Sequence, residues 1–445
     1  MTAHAAHAVV RFGLGPRPGE IAAASADPRG WVFAQIGRTN IPAALETMPA
    51  TRVRQAMIAQ ARAQGGNAAV ERLHRQEWRA AYLRDAGLRT RAMIESDAPF
   101  RERWVAFWSN HFSVSAIRPR VAGLAGPYER EAIRPHAWGS FADLLSAAIR
   151  HPAMLIYLDQ AGSVGPNSPA GQRRNAGLNE NLARELLELH TLGVDGGYDQ
   201  SDVRELAKIL TGHSLGNREE GVEGEFFFRN RMHEPGAKTL LGVRIREAGP
   251  DEAIQALRLL AFHPATARHV ARKLARHFVS DAPSEICVEA LARTFRDTRG
   301  DLSEMARAVV NLEDSWETPR GKIRAPNDLV VAAMRAVTGD AGYAGEPERL
   351  LAALATLGQA PFAAPSPAGW PDTARDWIGP EGAMRRAEWA LALAERVAAF
   401  RHPQAVFAET LDPIASPATR EAVRRAPSAA DGLALLFASP EFQRR

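Results

Sequence analysis

Two glutamates, Glu185 and Glu188, stand one helical turn apart in the segment NENLARELLELHTLG, with Asn181 and Arg184 beside them. At about 100° per residue these four share one side of a helix, while Leu182, Ala183, Leu186, Leu189 and His190 fall on the other. Carboxylates at this spacing, next to an amide and a guanidinium, can hold a divalent metal or position a substrate from a helix wall. The plain alternative is a solvated acid pair balanced by Arg184. His190 follows Glu188 by two residues, so the Glu-x-x-His spacing of di-iron bundles is missing. It reads as a core histidine bonded to a carbonyl.

A second candidate cluster closes the segment RERWVAFWSNHF, where Asn110 and His111 follow Trp104 and Trp108. The helix dipole favours a histidine at a C-terminus, and an Asn-His pair behind two tryptophans equally suits the polar end of an apolar pocket. Combined with the glutamates, His111 could ligate a divalent metal or shuttle a proton. The expected catalytic set is therefore Glu185, Glu188, His111 and Arg184, and the expected metal ligands are Glu185, Glu188 and His111. Asn110, Asn181, His136, Asp159 and Trp370 are expected to contact a ligand. His136 also has a structural reading, since Arg134 and Pro135 make a rigid turn. His151 and His263 each precede a proline and mark helix breaks. His233 and Glu234 are placed in an exposed turn. No P-loop, GxSxG elbow, HExxH, EF-hand series or strand-preceded dinucleotide fingerprint is present.

The elements that must carry these groups are helical almost throughout. Apolar residues recur at three and four positions over 51–63, 67–94, 100–111, 141–150 and 180–192. The pattern resumes over 202–210, 252–262, 265–279, 285–297, 302–312, 326–338 and 383–400. Asp199 and Asp202 form a capping box, and 193–197 is the stop before it. Residues 225–229 and 238–245 carry β-type residues around a His-Glu-Pro-Gly turn and predict one small hairpin. The fold class is mainly α, a multi-helical orthogonal or bundle-like array with a small β-hairpin insertion. A single helical domain over 1–445 is expected, with the hairpin at about 225–246 and a C-terminal helical part at about 381–445.

Two long irregular segments stand beside the candidate residues. Asp159–Leu178 is rich in Gly, Pro, Asn and Ser, and loops of this length inside compact domains are usually functional or disordered. Residues 358–380 contain Trp370 and Trp377, which predicts an ordered strap across a surface or along a groove.

Composition narrows the function classes. Apolar residues make up 46% and charged residues 24%, as in a globular chain, and no apolar run is long enough to span a bilayer. The N-terminal stretch has no basic region followed by an apolar core. A cytoplasmic location is expected, or a periplasmic one if a leader has been removed. Cys287 is the only cysteine, so no intramolecular disulfide forms. The 55 basic residues include just four lysines, Lys208, Lys238, Lys273 and Lys322. Most arginines alternate with acids, as over 71–91, which reads as a solvated helix face rather than a nucleic-acid surface.

An ordered series of segments resembles the DUF1800 family, bacterial proteins of uncharacterised activity. The matching pieces are HAAHAVVRFGLGPRPGE, RERWVAFWSNHF, YEREAIRPHAWGSFADLL, HPAMLIYLD and NENLARELLELHTLG through DVRELAKILTG. They continue with HPATARHVARKLARHFVSD and LGQAPFAAPSPAGW, spanning roughly residues 4–400. One departure is His213, where the family pattern has Trp after LTG. The resemblance implies a mostly helical fold and a companion from the sulfatase-like DUF1501 family as a possible partner. Two functions fit: a metal-assisted enzyme working at Glu185, Glu188 and His111, or a non-catalytic binding and assembly protein anchored by Trp370 and Trp377.

Overall fold

The structure, a computed structural model, describes residues 2–174, 177–217, 220, 222–317, 321–338, 345 and 347–445. Helix accounts for 63% of it and strand for 4%, so the architecture is mainly α. Chemistry at the helix starts explains many boundaries. Asp27, Ser140, Ser284, Asp301, Ser416 and Ser428 each accept a backbone N–H of the first turn. Asp199 and Asp202 form the reciprocal capping box of helix Gln200–Leu210. His151 and His263 start helices too, each accepting an N–H through its ring just ahead of a proline at the first helical position.

The Gly65-Gly66 break kinks the segment Thr51–Arg75, with Gly66 in left-handed space at φ 61°. A further break at Gln76, with no glycine or proline to announce it, starts Glu77–Glu95. The helix carrying the paired glutamates runs as Asn181–Glu185 and then widens into a π-turn over Leu186–His190.

The β-type segments pair differently from the expected single hairpin. Strand β1 (His213–Leu215) pairs with β2 (Phe226–Phe228), whereas β3 (Lys238–Leu240) pairs with β4 (Val243–Ile245). The second pairing is local because Leu241 and Gly242 adopt φ 51° and 73°, both positive as a two-residue I′ hairpin requires. His213 fills its aromatic position by packing within 5.2 Å of the Phe226 ring and 5.7 Å of the Phe228 ring.

The largest apolar cluster draws on residues 8–316 and is rich in aromatic rings, with Trp104 stacked on Trp138 at 5.7 Å. A second cluster is built within residues 329–442. Buried arginines tie the C-terminal helices to the N-terminal half of the chain. Arg335 donates to the carbonyls of Gly15, Met93, Ile94 and Ser96 and pairs with Glu20 at 2.6 Å. The segment 71–91 is not simply a solvated face either: Asp85 and Thr90 are buried, and Arg54 reaches Asp85 at 2.6 Å. Among the described residues no helix is long and apolar enough to cross a membrane.

Candidate functional site

Helix Pro99–His111 and helix Pro264–Phe278 enclose a chamber of about 370 Å³ together with the start of helix Pro326–Thr338, the 358–380 strap and Arg445. The strap is held by Ser115 and Ala116, just past helix Pro99–His111. Ser115 Oγ donates to the Ala364 carbonyl at 2.6 Å, and the Ala116 N–H donates to Phe362 at 2.7 Å. Asn110 clasps Trp370 from both ends of its amide: Nδ2 donates to the Trp370 carbonyl at 2.9 Å, and Oδ1 accepts the Trp370 N–H at 2.7 Å. Gly369 makes this approach feasible, since it sits at φ 81° and a Cβ there would collide with Asn110.

His111 lines the chamber, and its ring is buried. Its Nε2 donates to the His190 carbonyl at 3.1 Å, while His190 Nδ1 donates back to the His111 carbonyl at 3.0 Å. A carbonyl only accepts, so each of these nitrogens carries the proton. His269 Nε2 donates to Leu189 at 3.0 Å. Two carbonyls at the end of the widened helix turn thus find ring N–H partners. Burial lowers all three histidines, His190 to about 3 and His269 to about 4, with nearby Lys273 adding to the fall.

Within helix Pro264–Phe278, His269, Lys273 and His277 recur every fourth residue and so share one face. His277 Nδ1 lies 2.6 Å from Asp372 Oδ2, and its Nε2 is buried with no hydrogen-bond partner. Asp372 also meets Lys322 at 3.3 Å and Arg445 at 3.6 Å. Although burial alone would raise it, this surrounding positive charge keeps Asp372 ionised. Burial lowers His277 to about 4 despite Asp372, so the neutral ring donates Nδ1–H to the carboxylate. Asp328, also on the chamber wall, is taken up by Arg103 at 2.9 Å and Arg445 at 3.0 Å.

The expected residues divide between this chamber and other surfaces. His111, Asn110 and Trp370 line it. Glu185, Glu188 and Arg184 do not: they are partly exposed, and Asn181 is fully on the surface. Arg184 meets Glu180 at 3.1 Å and Glu188 at 3.8 Å. Burial, with Glu188 close by, pushes Glu185 above the usual carboxylate range. Leu182, Leu186 and Leu187 fill the core, which turns both glutamates outward while His111 packs underneath at His190. The proposed ligand set of Glu185, Glu188 and His111 is not assembled. Among the described residues no three His, Cys, Asp or Glu side chains are grouped to hold a metal ion.

His136 does not line the chamber: its Nδ1 donates to the Ala132 carbonyl of its own turn at 2.9 Å. Asp159 pairs with Arg118 at 2.9 Å and lines a separate, more open cavity of about 920 Å³. The loop it begins closes on itself, with Asn179 Nδ2 donating to the Asp159 carbonyl. Asn175 and Ala176 of that loop lie outside the described residues. His233 and Glu234 are buried rather than exposed, because His233 reaches Glu252 at 3.0 Å and Lys238 completes the cluster at 2.7 Å.

Residues 7–444 match the family model described as a protein of unknown function, DUF1800. The chain belongs to the DUF1800 family. No curated protein and no solved structure matches it. In this DUF1800 chain Lys273, His277, Asp372, Arg276 and Arg375 are among the chamber residues absent from the sequence expectations. One signal was available in HPATARHVARKLARHFVSD, where a histidine, a lysine and a histidine fall four residues apart along an otherwise arginine-rich helix.

Proposed function

We propose that this DUF1800 chain is an enzyme that binds a small organic anion in the chamber and transfers protons to and from it. His277 is the base and Asp372 is its positioning residue. The observation that carries this reading is the 2.6 Å contact of His277 Nδ1 with Asp372, combined with a buried, unpartnered Nε2 on a residue that lines the chamber. A carboxylate that accepts Nδ1–H fixes the tautomer and leaves the Nε2 lone pair to take a proton.

Charge supports the choice of ligand. Of the chamber acids, Asp328 and Asp372 are already matched by Arg103, Arg445 and Lys322, and Asp376 accepts from the Thr373 hydroxyl. Lys273, Arg276 and Arg375 line the same space and have no ion pair among the described residues. A carboxylate would supply further counter-charge, and three cations without a direct ion pair around one cleft favour an anion.

A thermal-shift screen of small mono- and dicarboxylates tests the reading, followed by proton–deuterium exchange of any acid that binds. Saturable stabilisation is expected in the wild type, weakened at least about tenfold in Arg276→Ala/Arg375→Ala, as losing 1.4 kcal/mol of binding implies. His277→Gln should retain binding but lose exchange. Binding without exchange in the wild type leaves a non-catalytic binding protein, and no binding removes both readings.

A further inference from the structure

We propose that Lys273 is a nucleophilic amine that condenses with the carbonyl group of an aldehyde or ketone acid held in the chamber. This deepens the reading of the chamber as an anion site and rests on it. The four lysines of the chain provide the contrast. Lys208 pairs with Glu205 at 2.6 Å, Lys238 with Glu252 at 2.7 Å and Lys322 with Asp281 at 2.6 Å. Lys273 has neither a hydrogen bond nor an ion pair among the described residues, and it lines the chamber.

The groups facing it come from four directions. His111 ends one helix, His190 ends the widened turn, His269 and Arg276 share its own helix, and Asp372 comes from the strap. Burial lowers the Lys273 ammonium to about 8, with Arg276 adding to the fall and Asp372 opposing it. Desolvation beside another cation is a recognised way to free a lysine for covalent catalysis. The three histidines are neutral at pH 7, so their contribution is dipolar rather than a fixed like charge.

In the condensation, the Nζ lone pair forms a bond to the carbonyl carbon while the C=O π electrons move to oxygen. A proton passes from nitrogen to that oxygen, giving a carbinolamine. Loss of water then leaves the carbon–nitrogen double bond of an imine, with no oxidant or reductant consumed. His277 lies one helical turn further along the same face and offers its Nε2 for the proton transfers.

The test uses the full-length chain with glyoxylate, a small aldehyde acid, and with acetaldehyde, its uncharged counterpart. Sodium cyanoborohydride at pH 8 reduces any imine to a stable secondary amine, and peptide mass mapping locates it. An amine titrating near 8 instead of 10.5 holds roughly a hundredfold more free base at pH 8. Lys273 should therefore be labelled at least about tenfold faster than Lys208, Lys238 or Lys322, and faster by glyoxylate than by acetaldehyde. Lys273→Arg, checked by its melting curve, should lose the adduct. Selective labelling of Lys273 without a preference for glyoxylate supports the amine and overturns the anion reading. Saturable glyoxylate binding with no adduct at Lys273, or adducts spread over the other lysines, overturns the amine and leaves the anion reading standing.

Discussion

His111 and His190 each donate a ring N–H to the other's backbone carbonyl, at 3.1 and 3.0 Å, although 79 residues separate them. The exchange fastens the end of the Trp104 helix to the end of the Glu185 helix, and neutral rings suffice to make it. Protonation would add a second N–H to a buried ring that has no acceptor for it.

Stability should accordingly fall as the solution is acidified below about pH 6.5. His190 is lowered to about 3, and His269 and His277 to about 4. Between those values and the ordinary histidine pKa the unfolded chain binds protons that the native chain refuses. Native stability is thus complete above about 6.5 and is lost progressively toward pH 4, by up to about 1.4 kcal/mol per pH unit for each such histidine. Urea unfolding at pH 7, 6 and 5 measures the slope, and His190→Gln should reduce it. A stability independent of pH across this range would contradict the neutral-ring assignment.

The clasp between Asn110 and Trp370 makes a different prediction. Asn110→Ala removes two hydrogen bonds from the strap and leaves a backbone donor and acceptor unmatched, a cost of about 1–3 kcal/mol for each buried group left unsatisfied. Gly369→Ala should cost at least as much, because it adds a Cβ against Asn110 at a positive φ. Chemical denaturation measures both, and tryptophan fluorescence should shift to the red as Trp370 loosens.

Removing charge should separate a buried network from a surface one. Glu102 is buried between Arg101 at 2.9 Å and Arg134 at 2.7 Å. Glu102→Gln leaves buried guanidinium charge uncompensated and should destabilise by about 3–5 kcal/mol. Glu188→Gln, whose partner Arg184 is 39% exposed, should change stability by no more than about 1 kcal/mol. Equal effects in denaturant titrations would show that the helix of paired glutamates carries more than a surface ion network.

These contrasts mark what could be read from the residues alone. Helical periodicity and caps located most of the long helices but not the short ones, nor Pro347–Thr356 and Ala429–Ala438, because the apolar face and the first-turn acceptor are local properties that need several turns to show. Asp199 with Asp202 is an example. Strand pairing was less legible: β1 is three residues long and its partner lies eleven positions on, so only tertiary packing selects it. The paired glutamates drew attention through helical spacing, yet spacing does not say which side of a helix the rest of the chain covers. Asn110, His111 and Trp370 do meet at the chamber, and the first and last are 260 residues apart. Arginines were the least legible residues. Arg103 and Arg335 are buried against carboxylates and carbonyls contributed by segments more than 200 residues distant, which no local pattern reveals.

Lys273 leads to the last prediction, on the pH dependence of the chamber itself. Its amine is lowered to about 8, so the native state prefers the neutral form more strongly than the unfolded chain does. Without a ligand, that single group disfavours folding at pH 7 and ceases to do so as the pH rises past its ordinary value near 10.5. Lys273→Met should therefore melt at a higher temperature than the wild type at pH 7, as expected where a binding group is held at the expense of stability. A bound carboxylate reverses the preference, since it favours the ammonium. Affinity for a simple carboxylate should be greatest below pH 8 and fall as the pH climbs through 8 to 9, and in Lys273→Met this dependence should vanish. Calorimetric titrations at pH 7, 8 and 9 on the two proteins decide it. An affinity that is flat with pH in the wild type would place the anion away from Lys273.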